Sequence, residues 1–190
     1  AAGAVLGFGG GTHQLNAGAI TSPGTVRLSG NTTVNVNTAY AIAGTTDIVS
    51  GSLNLLGGNA STGALIQSNG SVAGSGNLTV TGTAALTFGD HRGTGTTILQ
   101  GPSTISTSGF RLDGGRTLRN ENTLTWSGGS ILFNFNVNST SIPGSATINN
   151  IAGATFIASG NSASTISAGN FGGSDTGADS LFTNAGTFRK

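Results

Sequence analysis

Apolar residues along this chain come in short alternating runs broken by Gly, Asn and Ser, and nowhere hold the three-to-four spacing of an amphipathic helix. Such runs predict strands. Clear examples are Thr25-Val26-Arg27-Leu28, Thr33-Val34-Asn35-Val36, Ser52-Leu53-Asn54-Leu55, Asn77-Leu78-Thr79-Val80, Thr97-Ile98-Leu99, Thr123-Leu124-Thr125-Trp126 and Ile131-Leu132-Phe133-Asn134-Phe135. The turns between runs are often single Gly or Asn residues, so the chain reads as all-β.

Several strings recur. Ser103-Thr104-Ile105-Ser106, followed by Gly109-Phe110, returns 61 residues later as Ser164-Thr165-Ile166-Ser167, followed by Phe171. An apolar-x-Asn string followed by Thr and an apolar residue occurs three times, ending at Asn120, Asn150 and Asn184, at spacings of 30 and 34. A looser set of strands opens near Gly24, Gly51 and Gly76, at intervals of 27 and 25.

Repeats of this length built from short strands suit a solenoid whose windings stack at the inter-strand spacing of about 4.8 Å. The predicted fold is a single-stranded parallel β-helix (β-solenoid), right-handed, with about eight coils of roughly 20 to 27 residues and a length near 40 Å at that rise. Leu, Ile, Val and Phe are expected to line the bore, with Thr, Ser and Asn outside and Gly or Asn at the corners. A Greek-key sandwich shares the short strands and turn signals, but does not need the offset repeats or the aligned Asn positions. Residues 1–190 are read as one continuous segment, loosely repetitive over 1–94 and more clearly so over 95–190.

Composition supports a neutral polar exterior. Gly, Thr, Ser and Asn make up 102 of the 190 residues, and charged residues only 7%. Leu, Ile, Val and Phe number 44, which lifts the chain above the roughly 20% associated with disorder. Seven Lys and Arg and a net charge of +1 cannot supply the basic stripe that nucleic acid requires, and offer little to an acidic membrane. No apolar run approaches a membrane span, so membrane insertion is not expected. Without Cys there are no disulfides or thiolate metal sites. The start at Ala1-Ala2-Gly3 lacks the basic flank of a signal peptide, and without any Met the chain is expected to be a processed product or a piece of something longer.

The segments Gly114–Gly129, Ala146–Phe156 and Phe182–Lys190 carry a further likeness. They resemble the degenerate β-solenoid repeats of very large secreted bacterial surface proteins, the filamentous-haemagglutinin-like adhesins and autotransporter passenger domains. The match is good over 95–190 and loose over 1–94. The resemblance implies an extracellular rod at the bacterial cell surface that acts as a shaft or fibre-forming unit in cohesion or attachment. No polar capping segment is visible at either end of the pattern. Self-association end to end, or continuation into further coils of the parent chain, is therefore expected, with a host surface or glycan as a further ligand.

Catalytic β-helices act on polysaccharides, so the acids were weighed: Asp47, Asp90, Asp113, Glu121, Asp175 and Asp179. The densest set is Asp113 and Glu121 with Arg111, Arg116 and Arg119, which reads as a surface ion-pair cluster, with Leu112 and Leu118 facing inward. Asp90-His91-Arg92 is expected in a loop, and no Gly-x-Ser-x-Gly elbow accompanies it. His13 has no second His nearby for a metal. Gly172 to Asp179 lacks the tandem register of a calcium-binding nonapeptide and reads as an inserted loop. Thr79-Val80-Thr81, Thr81-Gly82-Thr83, Thr94-Gly95-Thr96 and Thr123-Leu124-Thr125 suggest ice binding only if they align at one coil period. Gly9-Gly10-Gly11 is a turn, since no Lys-Ser or Lys-Thr follows. Trp126, Tyr40 and the nine Phe could stack on sugars, but Phe in strands is more often core, and Trp126 shares the inward face of Leu124. Sequons stand at Asn31, Asn59, Asn69, Asn77 and Asn138, as this composition produces by chance. No catalytic, cofactor-binding or metal-binding residue is assigned and no cofactor is expected. The expectation is a non-catalytic structural protein, with a polysaccharide-binding or polysaccharide-degrading β-helix as the alternative and an ice-binding solenoid as a lesser one.

Overall fold

The computed structural model describes residues 3–106, 109–135, 145–161, 163–172 and 175–190. Among them the chain forms 23 strands and no helix. Every pairing between these strands is parallel. The fold is a β-solenoid.

Each winding contributes three strands, one to each of three faces. The second face is an eight-stranded sheet in chain order, from Thr12–Leu15 to Thr165–Ala168. The first and third faces are joined into one sheet because two long strands, Ala39–Ile48 and Ala60–Gln67, turn the corner between them. Tyr40 in the first half of one strand pairs with Ile20, and Thr45 in its second half pairs with Thr25.

Glycine makes that corner possible. A Cβ on Gly44 would stand 2.0 Å from the Gly24 carbonyl oxygen, one on Gly63 2.2 Å from the Ala43 oxygen, and one on Gly101 2.1 Å from the Gly82 oxygen. A side chain at any of these positions would push the windings apart. The stack closes because successive corners place glycine under the carbonyl above it.

Strand register fixes the period. Thr25 stacks on Val5, Thr45 on Thr25, Ala84 on Leu65, Ser103 on Ala84 and Leu124 on Ser103, offsets of 19 to 21 residues. From there the windings widen. Thr123 pairs with Thr155 and Thr155 with Thr187, each 32 residues on, while Ser130 pairs with Thr165, 35 on. The extra length lies between strands, within 134–146, 159–164 and 169–180.

Alternation along each strand separates bore from surface, as expected. Val26 and Leu28, Val34 and Val36, Leu53 and Leu55, Leu78 and Val80, Leu112, Leu118 and Leu124 are all buried. Phe110 and Phe156 are buried with them, and Trp126 is 4% exposed, so its inward direction holds. Each such Leu or Phe contributes about 2 kcal/mol by leaving water. Among the other phenylalanines, Phe135, Phe171 and Phe188 are exposed.

The register also corrects parts of the sequence reading. The two Ser-Thr-Ile-Ser strings are not equivalent: Ser103–Ser106 lies on the first face and Thr165–Ala168 on the second. The strands that open near Gly24, Gly51 and Gly76, namely Thr25–Ser29, Ser52–Leu55 and Leu78–Val80, fall on the first, second and third faces. Their intervals therefore measure one winding plus one face rather than one coil. Asp90-His91-Arg92 is not a loop but most of the strand Gly89–Arg92. The apolar-x-Asn repeat is real: Asn120, Asn150 and Asn184 stack directly.

Candidate functional site

Four polar side chains occupy bore positions that apolar residues hold in the windings above and below. Gln67 stands in register between Ile48 and Leu86, His91 between Val72 and Leu112, and Thr97 between Leu78 and Leu118. Arg116 enters from the turn after Gly115 and has the parity of inward Leu118. All four are fully buried. A buried polar group requires partners, and these supply one another.

The relay has a direction set by the only member that cannot accept. Arg116 Nη2 donates to Thr97 Oγ1 at 3.0 Å, and Nη1 donates to the carbonyl oxygens of Gly76 and Gly74 at 3.2 and 3.3 Å. Thr97 passes its own proton to His91 Nδ1 at 3.0 Å. His91 Nε2 then carries the ring proton and donates to Gln67 Oε1 at 2.7 Å. The Gln67 amide ends the chain by donating to the Gly70 carbonyl at 3.1 Å. This is the arrangement in which each of these contacts joins a donor to an acceptor. Burial and, after it, the Arg116 charge hold His91 well below its ordinary value of 6.5, so the ring is neutral. Burial lowers Arg116 to about 10, which leaves it charged at neutral pH. The Phe110 ring packs edge-on against His91 at 5.0 Å.

The outward residues of the same strands make a different cluster. Asp90 and Arg111 are register neighbours and form an ion pair. The Arg111 guanidinium lies over Phe88 and Phe135, 5.1 and 4.5 Å from the ring centroids. Burial raises Asp90 above the usual carboxylate range, against the pull of Arg111 and Arg92. Arg119 pairs with Glu121 at 2.7 Å, and Glu121 also accepts from Gln100. Arg27 pairs with Asp47 at 2.8 Å. Asp113 accepts from the Gly114 amide at 2.9 Å.

No family model, curated protein or solved structure matches this chain. What the site can do is therefore argued from its geometry alone. The expected cluster of Asp113 and Glu121 with three arginines divides: Arg111 pairs with Asp90, Arg119 with Glu121, and Arg116 leaves the surface for the bore. Asp90 and His91, adjacent in sequence, project to opposite sides of the sheet and make no dyad. His91 is sealed from solvent, so it cannot reach a substrate.

The remaining candidates are dispersed. His13 Nε2 bonds to the Gly10 carbonyl at 2.9 Å and its ring packs on Phe8. No group of three or more His, Cys, Asp or Glu lies together among the described residues. The Gly172–Asp179 stretch lies between the strands Thr165–Ala168 and Leu181–Asn184, as an insert. Asp175 there bonds through its backbone to Gly172 and Phe171, while Gly173 and Ser174 fall outside the described residues. Asn138 falls outside them too. Asn31 sits exposed in a turn at positive φ, and Asn59 accepts from Asn77 at 3.1 Å. Thr79 stacks on Ser61 and Ile98, and Thr125 on Thr104 and Ile157, so the Thr-x-Thr strings do not build a two-column array. Tyr40 is buried, with its hydroxyl on Thr46 at 2.8 Å.

A second inward polar array lies nearer the C-terminus. Asn120 Nδ2 donates to Asn150 Oδ1 at 2.7 Å, and Asn150 Nδ2 donates to Asn184 Oδ1 at 2.6 Å. The same amides also reach the Thr155 and Thr187 carbonyls at 3.0 and 3.1 Å. Three windings are thereby tied by one repeated side chain.

Proposed function

We propose that this chain is a structural shaft or fibre-forming segment of an extracellular bacterial surface adhesin, non-catalytic, that serves cohesion or attachment. The observation that carries this reading is the chain of parallel pairings from Val5 to Arg189, in which side-chain polar groups are spent on neighbouring windings. The ionic groups follow that rule: Arg27 binds Asp47 and Arg111 binds Asp90, each pair bridging two windings. Such a stack resists pulling because separating windings breaks a whole row of hydrogen bonds at once.

The outermost described windings support association end to end, with another copy or with further coils. Val5 and Leu6 at one end and Leu181 and Phe188 at the other are about half exposed, next to strands with one free edge. Electron microscopy and sedimentation across a concentration series test both parts. Rods that lengthen with concentration support shaft and cohesion together. Rods of fixed length remove the cohesion, and compact particles remove the shaft. Limited trypsin digestion adds a check, since Arg116 is buried and Arg111 nearly so. Rapid loss of the native chain would count against the rod.

A further inference from the structure

The relay joins four windings through a side chain that can change charge. Val72 and Leu112 flank the His91 ring along the sheet, Phe110 covers its edge, and Gln67 and Thr97 hold its two nitrogens. Among the elements packed against the ring, the one charged group that faces it is Arg116. Asp90 and Arg92, its chain neighbours, and Asp113, the register partner of Arg92, lie on the outer surface of the same sheet.

We propose that the Gln67–His91–Thr97–Arg116 relay is an acid-sensitive latch, which holds the middle windings closed at neutral pH and opens them first when the medium becomes acidic. A proton on Nδ1 turns an acceptor into a donor against the Thr97 hydroxyl. Thr97 must then accept from both His91 and Arg116, and its own proton loses its acceptor. The bore would also hold two cations with no carboxylate beside them. Opening the winding relieves both conflicts by letting water in.

The depressed titration of His91 agrees in sign: the open state takes up a proton that the closed state resists, so acid favours opening below about pH 6.5. Asp90 works the other way, because a carboxyl raised by burial is favoured in the closed state as pH falls. The latch must therefore be read from where opening occurs as well as from overall stability.

Hydrogen exchange between pH 7.5 and 5.5, corrected for the intrinsic rate at each pH, gives that location. Amides of Ser71–Ala73, Gly89–Arg92 and Thr96–Leu99 should gain up to about tenfold in exchange per pH unit below 6.5. Those of Thr33–Val36 and Thr147–Asn150 should gain far less. Equal gains everywhere, or none in the middle windings, would overturn the latch. His91→Leu supplies the second measurement wherever it folds: the local acid response should vanish, and its persistence would refute the role of His91. Arg116→Met removes the second cation and should shrink the response, so an undiminished response would refute the role of Arg116.

Discussion

Two inward polar arrays interrupt the same apolar bore, and they are built on opposite plans. The asparagine ladder repeats one residue at one register position, so each amide donates down the stack and accepts from above, and translation alone satisfies it. Gln67, His91, Thr97 and Arg116 are four different groups from different faces, joined in one direction and anchored on backbone carbonyls at both ends. A ladder tolerates another winding of the same kind. The relay fits one place in the stack and responds to protons, which the ladder ignores.

The sharpest way to break the comparison is Arg116→Ala. It strips the Gly74 and Gly76 carbonyls and Thr97 of their donor and leaves a cavity where a long side chain lay. Relief of a desolvated charge offsets part of this, and a net loss of about 3 kcal/mol is expected in denaturant unfolding. A loss well under 1 kcal/mol would mean that the relay contributes little to closure.

Asn150→Leu tests the ladder in the same way. Asn120 keeps acceptors at Asn122 and Thr155, but Asn184 loses its donor and the Thr187 carbonyl loses one partner. About 2 kcal/mol is expected, less than for Arg116 because the neighbouring amides partly satisfy themselves. Asn150→Asp should be worse than Leu, since a carboxylate would face the Asn184 and Thr187 oxygens without a proton to donate.

How much of this was legible in the chain depends on which period was followed. The asparagines were visible because apolar-x-Asn followed by Thr survives the widening of the windings. The shorter period is written in glycine, at Gly44, Gly63, Gly82 and Gly101 and again at Gly51, Gly70 and Gly89, steps of 19 residues. Apolar strings do not reveal it, because strands on different faces look alike, which is how Ser103 and Ser164 came to be matched. Stepping by that period places Gln67 in line with Ile48, Leu86 and Ile105, and His91 in line with Val72. Both are then bore residues. Arg116 carried a simpler mark: it lies two residues before inward Leu118, yet its charge grouped it with Arg111 and Arg119. The pairing of Arg111 with Asp90 rather than Asp113 follows only from register.

Acid separates the arrays by a smaller amount. Since the folded His91 titrates below 6.5, its contribution is complete above that pH and declines as pH falls toward the folded value. About 1 kcal/mol should be lost between pH 6.5 and 5.5 in thermal or denaturant unfolding. In His91→Leu this decline should disappear, while Asn150→Leu should retain it. A decline in both variants would assign the pH dependence to other groups.

The smallest effect belongs to an amide pair that copies the ladder on the outside. Asn54 Nδ2 donates to Asn35 Oδ1 at 2.8 Å between adjacent windings of the second face, and its Oδ1 accepts from Ser52. The chemistry matches Asn150, but water reaches these partly buried groups and can replace what is removed. Asn54→Ala should therefore change stability by about 0.5 kcal/mol or less. A loss as large as that of Asn150→Leu would mean that stacking register, rather than exclusion of water, gives repeated amides their strength. The ladder and the surface pair would then be one device, and the contrast with the relay would rest on direction and charge alone.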